Sequence, residues 1–206
     1  MQSDTRSVRE KIRAAAVQLF AERGYHAAPL RDIASRTGIQ AASIYYHYPS
    51  KQAILVEIMD THMQDLNAHL EAILMHPISV TERLYEAIAS HIRLHTTFKA
   101  EFFIIDTEIR ALEGKYREQI LALRDRYERL LQLLLQQGVE QGVLRPTDVK
   151  VASYALIAMC TEVAAWFRPS GRLTVQQVIE IYRQIIAQGV LLHPAPEAAL
   201  DGGSAR

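Results

Sequence analysis

The chain has 206 residues, 49% of them hydrophobic and 22% charged, with 23 Lys/Arg balancing 23 Asp/Glu. This composition excludes a disordered chain and allows one large domain or two small ones. The single cysteine, Cys160, excludes an internal disulfide and a multi-cysteine metal site. No run of about 18 to 20 consecutive apolar residues occurs, so no membrane span is expected. The opening MQSDTRSVREKIR lacks an apolar signal core, so a cytoplasmic location is expected. There is no Gly-rich phosphate loop, no GxSxG and no metalloprotease spacing, so neither an enzyme nor a cofactor is expected. Cys160 lies in an apolar helical run, which suits a buried, inert thiol.

The neutral total hides an asymmetry. Residues 1–52 carry eight Lys/Arg against four Asp/Glu, a net +4, leaving −4 on the remainder. A basic head on an acidic body suits contact with a polyanion.

In chain order, helix follows helix, and no alternating β-branched run appears. Ser7-x-x-Glu10 offers a capping box for a first helix with the apolar stripe Ile12, Ala15, Ala16, Leu19 and Phe20, closed by Gly24. A short second helix follows Pro29 and ends at Gly38. A third spans about 41–47 and is stopped by Pro49 and Ser50. A long fourth helix begins near Lys51 and ends before Pro77. The spacing then predicts helices over 79–96, 98–111, 115–141, 147–168 and 174–192, punctuated by Gly114, Gly138, Gly142, Pro146, Pro169 and Gly171. Thr174-x-x-Gln177 is another capping box. Residues 193–206, rich in Pro, Ala and Gly, are expected to be a disordered tail. The fold class is all-α with about nine helices. A DNA-binding head at 1–52 joins a body at 53–192.

Residues 29–48 have the layout of a helix-turn-helix, with Gly38 in the turn. Its second helix would present Gln40, Ala41, Ala42 and Ser43 to base edges in a major groove. Tyr45, Tyr46 and His47 would reach phosphates, Lys51 would add a point charge, and Arg31 joins this basic face. The competing reading of the aromatic run is a set of tyrosines at the edge of a core. A structural, ligand-independent DNA-binding protein shares the basic head, but needs no body of this size.

The stretch GYHAAPLRDIASRTGIQAASIYYHYPSK, with the stripe before it, resembles the DNA-binding domain of the TetR family of bacterial repressors. Ile33-Ala34, Gly38, the aromatic-aromatic-His-aromatic run and Lys51 carry the likeness. Pro29 departs from it, replacing a threonine that caps the second helix. The resemblance implies a homodimer on a near-palindromic operator, released by a small molecule bound in the body. A second likeness, AAWFRPSGRLTVQQVIEIY, is to a subgroup of that family in which many members sense acyl-CoA thioesters. It implies an acyl-CoA effector, with a free hydrophobic or drug-like compound as the alternative. Arg124 and Arg126 are candidates for a CoA phosphate.

Candidate pocket residues are Met63 and Leu66; Ile88, His91, Ile92 and His95; Phe98, Phe102 and Phe103; Leu123 and Tyr127; and Met159, Val163, Trp166 and Phe167. Each also suits plain core packing. His91 and His95, one turn apart, with His62 and His69 nearby, raise a metal site, but no carboxylate pattern completes one and none is assigned. The resemblance places the dimer contact on the last two helices, with Ala152, Ala155, Val175, Val178, Ile179, Tyr182 and Ile186 as candidates.

Overall fold

The computed structural model describes residues 7–145 and 148–189, and within them every regular element is a helix. The expected tail at 193–206, the end of the last expected helix at 190–192 and Pro146 lie outside the described residues.

Helix α1, Val8–Arg23, starts at the expected capping box. Ser7 Oγ accepts from the Glu10 backbone N–H, and the Glu10 carboxylate accepts from the Ser7 N–H. Helix α2, Leu30–Thr37, ends at Gly38, whose φ of 70° and ψ of 27° are left-handed. This glycine turns the chain into α3, Ala41–His47. Ile33, Ala34 and Ile44, all essentially inaccessible, join the α1 stripe in the head's core. Ser50 caps α4, Lys51–Met75, by accepting from the Ala53 N–H.

The body follows with α5, Val80–Thr97, opened by a capping box of Ser79 and Glu82 that sequence reasoning missed. Next comes α6, Lys99–Glu108, which tightens into a 3₁₀ turn at Ile109–Ala111. The expected 98–111 helix is therefore α-helical only to Glu108. Helix α7, Gly114–Glu140, lies along α4. At its end the Gly138 carbonyl accepts from both the Val143 and Leu144 N–H groups. Leu144 folds so closely over Gly138 that a Cβ there would lie 2.3 Å from its Cδ1.

The helix expected over 147–168 breaks at Glu162 into α8, Val149–Thr161, and the single turn α9, Val163–Trp166. Helix α10, Val175–Gly189, starts at the expected Thr174/Gln177 box and packs on α5. The segment Val149–Trp166 averages a hydropathy of 1.3 over 18 residues, enough by composition for a span, yet only 28% of it is buried. The break at Glu162 divides it, and Val151, Tyr154 and Trp166 stand exposed along it.

Candidate nucleic-acid interface and effector cavity

In the head, Ile44 and Tyr48 sit one turn apart and point inward, which turns the opposite side of α3 outward. Gln40, Ala41, Ala42 and Ser43 are exposed at its N-terminal end, where short side chains permit close approach. Tyr45 and Tyr46 are 60% and 88% exposed, and His47 packs edge-on to Tyr46. Arg31 stands outward on α2, its guanidinium 3.6 Å from Asp32.

The aromatic run divides between surface and core. Tyr48 is buried, and its hydroxyl donates to Glu57 at 2.9 Å. Arg9 lies over its ring and pairs with the same carboxylate. Burial and the neighbouring Glu57 charge hold the Tyr48 phenol protonated. Lys51 also differs from the expected outward point charge. Its ammonium lies 4.3 Å from the Tyr25 ring centre and 3.4 Å from the His26 carbonyl, and burial lowers its pKa. Arg23 and Arg36 are bonded to Asp32 and Glu22, so part of the head's basic excess is met internally.

Several contacts tie the head to the body, among them the packing of α1 on α6 and a bond from Gln52 to the Ala111 carbonyl. Helix α4 runs through both, and Glu108, at the end of α6, accepts from the Tyr25 N–H at 3.0 Å. Glu108 had no sequence signal, because a cap between residues 83 positions apart leaves no local pattern.

A cavity of about 430 Å³ lies between α4, α5, α6, α7 and α8. Of the expected residues, Met63, Leu66, His91, His95, Phe102 and Tyr127 line it. The other expected positions lie elsewhere. Ile88, Ile92, Leu123, Val163 and Phe167 are buried between helices. Phe98, Phe103 and Trp166 are 40–47% exposed. Met159 is partly buried against the core, and its backbone carbonyl accepts from the Tyr182 hydroxyl. The break at Glu162 re-aims everything after it, which removes Val163, Trp166 and Phe167 from the wall.

Residues not expected there complete the wall: Ile105 and Asp106 on α6, Glu128 on α7, Tyr154, Ile157, Ala158, Thr161 and Glu162 on and after α8, and His62. The i, i+3, i+4, i+7 stripe Tyr154–Ile157–Ala158–Thr161 was the signal available for them. Arg124 stands at the rim, as do Asp106, Glu128 and Glu162, so the rim is acidic on balance. A wider groove of about 790 Å³ lies outside, between α5 and the end of α4, beside Arg183. The inner cavity is also open at its rim, but it reaches the buried side chains of His62, His91, His95 and Tyr127.

The three cavity histidines are neutral. Burial lowers His91 to about 3 and His62 to about 4, and holds His95 well below its usual value. His91 stacks on His95 at 4.1 Å, and His62 meets His95 edge-on at 5.3 Å. Their nitrogens do not converge as a ligand set would: both of His91 and one of His95 have protein partners. No group of three or more metal-binding side chains occurs among the described residues.

The expected dimer residues divide between the protomer's own core and its surface. Val178, Ile179 and Ile186 are at most 1% exposed, because α10 turns them onto α5 within the protomer. Tyr182 is held by its bond to Met159, and Ala152 and Val175 are partly buried against the same core. Ala155 is exposed. Beside it Val151 is 61% exposed, and on α10 Ile181 and Ile185 are 41% and 49% exposed. Each helix thus leaves an i, i+4 apolar pair uncovered.

Residues 12–58 match the family described as bacterial regulatory proteins, tetR family, and residues 77–190 match the tetracyclin repressor-like C-terminal domain. The chain is 33% identical over 185 residues to the HTH-type transcriptional repressor KstR2 of Mycobacterium tuberculosis, covering 85% of this chain and 88% of that one. Among solved structures it is similar to the TetR family regulator PfmR from Thermus thermophilus, with TM-score 0.80, 34% identity and coverage of 86% and 97%. It is also similar to AibR in complex with isovaleryl coenzyme A and operator DNA, with TM-score 0.80, 28% identity and coverage of 87% and 97%.

Proposed function

The chain belongs to the TetR family of bacterial transcriptional regulators, and from that premise we propose that it is a cytoplasmic, homodimeric repressor released from a palindromic operator by an acyl-CoA-type effector. The observation that carries the reading is the position of the cavity. Its walls include α4 and α6, the two helices that also hold the head. Gln40, Ala41, Ala42 and Ser43 would read base edges, while Arg31, Tyr45, Tyr46 and His47 would meet the backbone. Lys51 acts instead by fixing Tyr25 and the entry to α4. Two such heads in a symmetric dimer would enter successive major grooves about 34–36 Å apart. The dimer would close through Val151 and Ala155 on α8 and Ile181 and Ile185 on α10, as a four-helix contact.

The acyl group would occupy the apolar cavity, and Arg124 at its rim offers a cation to a CoA phosphate. AibR, crystallised with isovaleryl coenzyme A, supports this effector class by similarity. A second reading, a CoA-free hydrophobic effector, is favoured by the carboxylates of Asp106, Glu128 and Glu162, which disfavour an approaching anion. Footprinting on upstream DNA tests the reading. A discrete palindromic footprint that disappears with micromolar acyl-CoA supports it. Uniform coating of DNA would instead mark a structural DNA-binding protein, and release by CoA-free compounds alone would favour the second reading.

A further inference from the structure

Inside its charged rim, the cavity wall is apolar except for a group of side chains whose hydrogen bonds do not balance. His91 Nδ1 lies 2.8 Å from the Tyr127 hydroxyl, and His91 Nε2 lies 3.0 Å from Thr161 Oγ1. With His91 neutral, the three groups carry three polar protons between them, one on each. The two bonds consume two of these. In either tautomer of His91 one hydroxyl proton is left over, on Thr161 or on Tyr127, and neither hydroxyl has another partner among the described residues.

The neighbouring His95 adds further unmet capacity. His95 Nδ1 donates to the His91 carbonyl at 3.1 Å, so its proton is on Nδ1 and its Nε2 is a bare acceptor. Buried donors and acceptors are ordinarily paired, and each one left alone is costly. A purely hydrocarbon occupant would seal off the surplus hydroxyl proton and His95 Nε2 unpaired.

We propose that this cavity is shaped for an effector bearing an uncharged oxygen, a hydroxyl or a carbonyl, on the apolar part that enters the protein. Such an oxygen accepts the surplus proton of the Tyr127–His91–Thr161 chain. A hydroxyl can also donate to His95 Nε2. Because the surplus proton shifts ends when His91 changes tautomer, one wall serves oxygens at two positions. A carboxylate is excluded from this inner site, since no buried cation faces it, and Arg124 stands only at the rim. The proposal deepens the acyl-CoA reading by specifying what the acyl group carries.

The test is calorimetric titration of the full chain with octanoyl-CoA and with octanoyl-CoA isomers bearing a hydroxyl or oxo group at successive carbons. At least one oxygenated isomer should bind about tenfold or more tighter than octanoyl-CoA, the worth of one buried hydrogen bond. If octanoyl-CoA equals or exceeds every isomer, the proposal is overturned. In the Tyr127→Phe/Thr161→Val double variant the preference should collapse, and a retained preference would overturn the assignment to these groups. If no thioester binds at all, the acyl-CoA reading falls, and cyclooctanol and cyclooctanone against cyclooctane, followed by amide NMR shifts, decide the inference separately. Tighter binding of either oxygenated ring upholds it, and parity or absence of binding overturns it.

Discussion

Acidification to about pH 5.5 should cost this protein much of its stability, through the cavity histidines alone. In the folded chain His91 titrates at about 3 and His62 at about 4, and His95 is also pushed well down, in each case first by burial. In the unfolded chain each returns to about 6.5. The folded values are depressed, so the unfolded state binds more protons between these limits. Stability is complete above the unfolded value and is lost as pH falls from there toward the folded values. At about pH 5.5 the unfolded chain holds about 0.9 proton per histidine while folded His91 and His62 hold almost none, a loss of roughly 1 kcal/mol each. His95 acts in the same direction, so the cavity histidines together carry a sizeable share of a typical total of about 5–15 kcal/mol. Glu22 and Glu82, whose pKa values are lowered by bonding to Arg36 and Ser79, respond only near and below 4.5 and do not confound this window. Urea unfolding at fixed protein concentration, at about pH 7.5, 6.5 and 5.5, measures the slope, and His62→Leu should make it shallower. An unfolding free energy that is flat across the window would refute the claim that these rings are buried and neutral.

Gly138→Ala should lower stability by about 1–3 kcal/mol, because the new methyl meets Leu144 and forces it off its seat on α7; a drop of several degrees in the thermal midpoint checks this. Ile185→Glu, on a half-exposed site, should leave the fold intact but convert the dimer to monomer in sedimentation and weaken operator binding. Arg31→Ala should weaken binding to all DNA sequences and reduce the log–log salt slope by about one. Gln40→Ala should instead cost about 1–3 kcal/mol of discrimination at one base-pair position, seen by comparing the operator with a singly substituted one.

The head was legible because its determinants are local. Ser7 with Glu10, Gly38 and Ser50 each act within four residues of where they stand, so the elements follow from short patterns. Even so, the run Tyr45–Tyr48 could not be divided by type. The i, i+4 relation of Tyr48 to Ile44 sends one ring inward, while Tyr46 remains in solvent. The body was legible as helices, but less so as a site. Helix α10 is apolar on two faces, and only the presence of α5 decides that Val178, Ile179 and Ile186 are core while Ile181 and Ile185 face out. In the same way α8 was read for its aromatic end, Trp166–Phe167. Its cavity stripe lies one to three turns earlier, ahead of a break at Glu162 that no glycine or proline announces.

One route from cavity to head runs along α6. Phe102, Ile105 and Asp106 face the cavity from α6, and Glu108 lies less than one turn further along the same helix. Its carboxylate reaches the Tyr25 N–H so closely that a Cβ on Gly24 would stand 3.3 Å from it. Tyr25 in turn packs on Phe20 of the head's core and receives the Lys51 ammonium at the first turn of α4. An occupant that displaces Phe102 and Ile105 therefore moves the partner of the Tyr25 N–H, while Met63 and Leu66 register the same occupant on α4. The bonds from Glu108 and Lys51 meet at Tyr25, so under the proposed function a shift of α6 relative to α4 would turn the head rather than stretch a linker. For that rotation to release DNA, the effector must bind the rotated arrangement more tightly than the DNA-competent one, and the difference in affinity sets the limit of the response. The unpaired groups of the cavity wall are a natural source of that difference, since their hydrogen bonds to an occupant depend on where α5, α7 and α8 stand relative to one another.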